Sequence, residues 1–191
     1  MDNSESTEAA LWERALRDDG DAFGSLFDLH HDRVFRRALG LMANAHDAED
    51  VAASAFFELW RKRRAVLPVH GSVLPWLLVA TVNLSRNAHR SSSRYQRVLR
   101  TIPRDETTHA PDGESFETKN RLTQSLKRLS QVDAALFVLI AIEELPLAEA
   151  AEAVGLKPST ARMRLSRARA RIREDLHDLN PTIRPAVEGN H

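Results

Sequence analysis

The sequence predicts an all-α protein of two small helical domains joined by a flexible linker, the second ending in a helix-turn-helix. Three observations carry that prediction. Apolar residues recur three and four apart along most of the chain, with no sustained two-residue alternation. Residues 101–118, TIPRDETTHAPDGESFET, contain two prolines, a glycine and no apolar period. Further on, an alanine-rich stretch, a glycine and a proline precede a run of arginines.

In chain order, Leu11, Trp12, Ala15 and Leu16 form a first amphipathic stretch that ends at Asp18-Asp19-Gly20-Asp21. Phe23, Leu26, Phe27, His30, Val34, Phe35, Ala38, Leu39 and Met42 make a longer core-facing stripe. Asp47 is placed to cap a third helix, with Asp50 in its first turn near the positive end of the dipole. That helix runs through Phe56, Phe57, Leu59 and Trp60, and Pro68, Gly71 and Ser72 break the chain before a fourth helix over 73–89. Trp60 and Trp76 each sit inside an apolar stripe and read as core anchors. The first domain is assigned to 1–100, the linker to 101–118 and the second domain to 119–177. In the second, Leu122, Leu126, Leu129, Val132, Leu136, Phe137, Leu139 and Ile140 rebuild a helical pattern interrupted near Gln131-Val132-Asp133. A short tail, 178–191, carries Pro181 and Pro185 and is expected to hold no further regulatory domain.

Composition narrows the function. The 191 residues include no cysteine, which excludes a disulfide framework, a thiolate zinc site and a cysteine nucleophile. The apolar runs at 74–82 and 134–142 fall short of the roughly 18 residues of a membrane span, so no membrane insertion is expected. The acidic, polar N-terminus lacks the features of a secretory signal, and a cytoplasmic location follows as the expectation. A net charge of zero hides segregation: residues 1–50 carry −7, residues 51–100 carry +8, and residues 131–160 hold five acids against one base. Alternating blocks of this kind suit two polyanion-facing surfaces.

The most specific local feature runs from Pro146 to Leu165. A short helix over 147–153 lets a second helix pack closely, Gly155 supplies the turn, Leu156 plugs the core, and Pro158 opens the second helix. That helix carries Arg162, Arg164, Arg167, Arg169, Arg171 and Arg173 with no acid until Glu174, and Leu165, Ala168 and Ile172 as its thin apolar stripe. A merely solvated helix would interleave glutamates for i,i+4 pairs, so DNA contact is the better reading. Its N-terminus, at Ser159 and Thr160, offers backbone amides to a phosphate. A second acid-free run follows the fourth helix, with Arg86, Arg90, Arg94, Arg97 and Arg100. Asn83 and Asn87 share a face there, either as packing amides or as contacts to base edges. Asp47, Glu49 and Asp50, taken alone, are a capped first turn.

In this order, these residues resemble the extracytoplasmic-function type of bacterial RNA polymerase sigma factor. The resemblance rests on Asp47-Ala48-Glu49-Asp50-Val51 with Phe56 and Leu59-Trp60, on Trp76-Leu77 with Asn83 and Arg86-Asn87, and on Glu149-Ala150-Ala151, Gly155-Leu156 and Ser159 to Arg169. It implies that Asp47, Glu49 and Asp50 dock the polymerase clamp. It further implies that the loop from Pro68 to Ser72, with Asn83, Arg86, Asn87 and Arg90, engages the opened minus-ten strand. Ser159, Thr160, Arg162, Met163, Arg164, Ser166, Arg167, Arg169 and Arg171 would then serve the minus-thirty-five element. Core RNA polymerase and promoter DNA are the implied partners, with an anti-sigma factor as the expected regulator. Neither a cofactor nor a metal is implied.

The chain departs from the family pattern at Ala150, where a larger β-branched residue is common, at Lys157 in the N-cap position, and at Met163, an apolar residue suited to a thymine methyl. The competing reading is a stand-alone helix-turn-helix regulator, against which the Arg86 to Arg100 run counts. An enzyme is not expected: His30 and His31 are adjacent, and no HExxH, paired DxD or Gly-rich phosphate loop occurs. His30 and His46 read as satisfied or exposed histidines rather than ligands.

Overall fold

The computed structural model describes residues 3–99 and 113–176, with side-chain surroundings for 8–89 and 121–176. Among the described residues it is all helical: α1 (Asn3–Ala15), α2 (Gly20–Leu41), α3 (Ala45–Lys62), a single 3-10 turn (Arg63–Ala65), α4 (Leu74–Leu99), α5 (Gly113–Arg128), α6 (Gln131–Ala141), α7 (Leu147–Ala153) and α8 (Pro158–Leu176). Two boundaries differ from the sequence reading. The fourth helix continues through the Ser91-Ser92-Ser93 run to Leu99, since serine is only a mildly poor helix former. The fifth opens at Gly113, ahead of the boundary placed at 119. The rest of the expected linker and the tail lie outside the described residues.

Local chemistry explains the helix starts. Asp19 caps α2 by accepting the Ala22 amide at 3.0 Å. At α3 the cap is Asn44 instead of Asp47. Its Oδ1 accepts the Asp47 amide at 2.8 Å while its Nδ2 donates to Asp47 Oδ2 at 2.9 Å, so Asp47 becomes the reciprocal partner inside the first turn. Ser130 caps α6, which accounts for the interruption near Gln131.

Helices α1 to α4 close around Leu26, Val34, Phe56, Leu59 and Leu77, with Trp12 buried and Trp76 packed against the cluster. Trp60 meets Phe23 edge-on at 4.9 Å and carries the Arg63 guanidinium 4.0 Å above its ring. One buried polar group ties this half together. Glu8 Oε1 accepts from His30 Nε2 at 2.8 Å, the Val73 amide at 2.8 Å and the Ser72 hydroxyl at 3.0 Å. Burial opposes ionisation of Glu8, but these bonds and the His30 ring outweigh it and hold the carboxyl below its usual value. His30 is thus a satisfied histidine, as expected.

In the second half, α8 turns Ala161, Leu165, Ala168 and Ile172 inward. The two halves share apolar surface. Leu41 and Val82 cluster with Leu126, Leu129, Ala134, Val138 and Ile172, and Leu78 clusters with Leu136, Leu139, Ala150 and Ala151. Helix α4 is therefore covered by the first half on one side and by α6 and α7 on the other.

Candidate nucleic-acid interface

The helix-turn-helix forms where the sequence places it. Gly155 sits at φ +70°, in the left-handed region that favours glycine. The Leu156 amide donates to Ala151 O at 2.8 Å and the Gly155 amide to Glu152 O at 2.9 Å, the paired bonds of a Schellman cap. The Ala161 amide donates to Lys157 O at 3.0 Å, which makes Lys157 the cap residue and Pro158 the first residue of α8. With Ala161, Leu165, Ala168 and Ile172 inward, helical spacing turns Ser159, Arg162, Met163, Ser166 and Arg167 outward, and all five are exposed. Met163 is 57% exposed, unusual for a methionine and placed in the middle of that row. Thr160 is half-buried, and Arg169, Arg171 and Arg173 are exposed along the flank.

Arg164 does not share this face. Its Nε donates to Asp133 Oδ1 at 2.7 Å and its Nη2 to Ser130 Oγ at 3.1 Å, so it staples α8 to the capped start of α6. Burial raises the Asp133 carboxyl, but the bonds from Arg164 and Ser130 more than offset it and leave the group below its usual value. Of the arginines expected to serve DNA, Arg164 is thus engaged within the chain: position 164 lies beside the buried Leu165, and an acid from another helix meets it there.

The second basic run divides. Asn87 is exposed and Asn83 half-buried on one face of α4, as their spacing requires. Asn83 Oδ1 is a buried acceptor without a hydrogen-bond donor among the described residues. Arg86, by contrast, is only 6% exposed. Its Nη1 donates to Leu126 O in the last turn of α5 and its Nη2 donates at 2.7 Å to Leu129 O, just past the helix end. In this arrangement Arg86, expected from the sequence to face nucleic acid, is instead a buried cation at a helix C-terminus. The side chain of Arg90 lies outside the described residues. Before α4, Val69 and Ser72 exchange backbone bonds of 2.9 and 3.0 Å around His70 (φ +51°) and Gly71 (φ +82°), a tight two-residue turn with both central residues left-handed. It holds His70 out to solvent.

The acidic patch is exposed where expected at Glu49 and Asp50, and half-buried at Asp47. Phe57, counted with the apolar run in the sequence, lies 64% exposed two turns further along the same face of α3. The buried positions Val51, Ala52, Ala55, Phe56 and Leu59 define a stripe that leaves position 57 out, and this periodicity is the signal that could have found it. Beyond the patch the four cations of the basic run share two carboxylates of the chain. Glu58 pairs with Arg61 and Lys62 at 2.7 and 2.8 Å, and Asp18 pairs with Arg63 and Arg64. The hydrogen bonds from Arg61 and Lys62 bring the Glu58 carboxyl down to about 2.

Comparison with known proteins gives these faces a context. The family models "Sigma-70 region 2" and "Sigma-70, region 4" match residues 26–95 and 119–172. Relatives include the ECF RNA polymerase sigma factor SigW of Bacillus subtilis, 24% identical over 84% of this chain and 92% of the relative. SigE of Mycolicibacterium smegmatis is 31% identical over 77% of this chain, which spans 58% of that longer protein, and CarQ of Myxococcus xanthus is 29% identical over 83% and 91%. The fold is that of CnrH, solved with the cytosolic domain of CnrY, at a TM-score of 0.60 and 22% identity over 90% of this chain and 98% of that one. The sigma factor RpoE of Bartonella quintana, solved with the anti-sigma factor NepR, matches at a TM-score of 0.53 and 21% identity, covering 81% and 96%. With both sigma-70 regions present in order and full-length relatives of one type, the chain belongs to the extracytoplasmic-function sigma factors, which direct RNA polymerase to promoters.

Proposed function

We propose that this chain docks on core RNA polymerase through Asp47, Glu49, Asp50 and Phe57 on α3, and reads a promoter at two places. The observation that carries the DNA half is the row of Arg162, Met163, Ser166 and Arg167 on α8, exposed opposite a buried Leu165. Arginines in such a row can bridge guanine edges and phosphates, and Met163 offers apolar contact to a thymine methyl. Ser159 and Thr160 present the first-turn amides to a phosphate, while Arg169 and Arg171 contact the backbone.

At the upstream end of the opened region, the turn around His70 with Asn83 and Asn87 takes up a base displaced from the stack. The unmatched Asn83 Oδ1 is suited to a base amino group. Arg90 adds charge to the same strand, and Arg86 joins only once it leaves the α5 carbonyls. Melting is driven by binding to strands and flipped bases, so the chain acts as an initiation factor and not as an enzyme. It works in the cytoplasm, with an anti-sigma factor as regulator, as in the solved sigma factor with NepR. The working units of this reading are 1–100 and 119–177, within which the matched segments 26–95 and 119–172 lie.

The test is runoff transcription with core polymerase on genomic fragments, comparing wild type with Glu49→Lys/Asp50→Lys. Wild type should start at defined sites, and the double reversal should abolish core binding with helical content unchanged. Retention of core binding at wild-type salt resistance would leave the acidic face as a helix cap only.

A further inference from the structure

The turn ahead of α4 is gripped from α1 by one buried carboxylate. Glu8 is 7% exposed and lies ahead of the matched segment 26–95. A single oxygen of it, Oε1, takes the His30 ring from α2, the Ser72 hydroxyl and the Val73 amide. The Ser72 hydroxyl oxygen in turn accepts the amide of Leu74, the first residue of α4, at 3.1 Å. This network begins where the Val69–Ser72 turn ends. Only two backbone bonds close that turn, and His70 at its tip is left-handed without being glycine, so the turn needs support from outside itself to keep one shape. Val69 and Val73 are buried on either side of it, while His70 stands exposed.

We infer that Glu8 is a positioning residue for promoter recognition: braced by His30, it fixes the Val69–Ser72 turn and the start of α4 relative to each other, and so sets the minus-ten preference of a surface it does not itself form. Three points favour this over a carboxylate that merely fastens α1. Helix α1 has apolar anchors of its own in Trp12, one turn on from Glu8, and Ala15, both in the core. Two of the three bonds to Glu8 come from the turn and the residue after it, and only one from a neighbouring helix. A buried carboxylate also carries a desolvation cost that an apolar residue at position 8 would avoid, so its gain lies in specifying one arrangement. His30 completes the device. Its ring meets the same oxygen from α2, which fixes the rotation of the carboxylate toward Ser72 and Val73. Since α4 carries Asn83 and Asn87, one carboxylate thereby orders both parts of the surface proposed to take up the displaced base.

The inference rests on the proposed capture of a minus-ten base, so Asn83→Ala is run beside the Glu8 variants. Each full-length chain is assembled with core polymerase and scored for initiation on two promoter libraries, one randomised at the minus-ten element and one at the minus-thirty-five element. Glu8→Asp keeps the charge but falls one methylene short of the turn, whereas Glu8→Gln loses the charge and keeps an oxygen at the same reach. Glu8→Asp should flatten minus-ten discrimination by about ten-fold, with core binding and minus-thirty-five preference unchanged, and Glu8→Gln should retain most of it. Ser72→Ala removes the turn's hydroxyl without disturbing a buried charge. It should follow Glu8→Asp, and it still reads the inference if Glu8→Asp fails to fold. Wild-type minus-ten preference in Glu8→Asp and Ser72→Ala, with Asn83→Ala altered, would overturn the positioning role and leave base capture standing. Equal losses on both libraries would reduce Glu8 to a stability residue and overturn it too, as would the reverse order, with Glu8→Gln flattened and Glu8→Asp intact. A shift in the Glu8 and Ser72 variants with none in Asn83→Ala would sustain the positioning role and move the base contact from Asn83 to the turn. Wild-type preference in all of them would bring down base capture together with the inference.

Discussion

Arg86 on α4 and Arg162 on α8 come from acid-free stretches that look alike in the sequence, and the fold treats them in opposite ways. Arg162 stands on an exposed face opposite Leu165, whereas Arg86 is buried on the carbonyls of Leu126 and Leu129. The difference lies in what surrounds each helix. One flank of α8 is thinly apolar and packs on α5, α6 and α7, and its arginines other than Arg164 lie on the exposed remainder. Helix α4 is apolar enough to be covered from both sides, and a guanidinium at the seam must find acceptors there or carry a large desolvation cost. A basic run is thus evidence of a polyanion-facing surface only on an element with one buried face.

The sharpest way to break this comparison is to remove the two guanidinium groups in turn. Arg86→Ala should destabilise the free chain by about 2–4 kcal/mol, because two buried carbonyls lose charged donors and a void opens beside Val82 and Leu126. Arg162→Ala should change stability by no more than about 0.5 kcal/mol, as expected for an exposed site. Urea denaturation of both chains decides it. Equal losses would mean that burial does not separate the two arginines.

Next in size are the effects on binding within α8. Arg162→Ala or Arg167→Ala should cost about 1–3 kcal/mol and relax preference at particular upstream bases, since a bidentate guanine contact is lost. Arg173→Ala should weaken every sequence alike and reduce the salt dependence. A promoter library scored against the three variants tests this, and uniform weakening by all three would reduce α8 to a nonspecific basic helix.

What the sequence discloses follows from how local each interaction is. The helix-turn-helix is legible down to its residues because Gly155 and Pro158 act on their own backbone, and the inward row from Ala161 to Ile172 is set by helical period alone. The seam is illegible because its determinants are far apart: Glu143 meets arginines 106 and 110 positions away, and Arg86 meets carbonyls 40 and 43 positions away. Charge counted in blocks misleads for the same reason. The acidic block at 131–160 supplies Glu143 to arginines of the net-acidic first block and Asp133 to α8, and Asp18 crosses to Arg63 and Arg64, so a block's net charge does not tell which of its side chains face solvent. At α3 the cap moved from Asp47 to Asn44 because both residues can cap, and the apolar register of Ala48 and Val51 favours the earlier start.

The smallest expected effect sharpens the comparison inside α8 itself, where Arg164 and Arg167 are one turn apart and part ways. Arg164 holds Asp133 at 2.7 Å and Ser130 at 3.1 Å, and Ser130 in turn caps α6 by accepting the Asp133 amide at 3.1 Å. Replacing Arg164 by Met keeps the aliphatic stem and removes these bonds from a partly exposed site, which should cost about 1 kcal/mol of stability. The loss has a pH signature. The Asp133 carboxyl lies below its ordinary value of 3.8 in the folded chain, so its contribution is present above that value and disappears as pH falls through the lower, folded one. Wild type and Arg164→Met should therefore differ in stability at pH 7 and converge as the solution is acidified through the lowered, folded-state value of Asp133. Promoter preference should be unchanged by Arg164→Met at every base, in contrast with Arg167→Ala. A base-specific shift would mean that Arg164 leaves its staple to read DNA, and would place it back on the recognition face with Arg162 and Arg167.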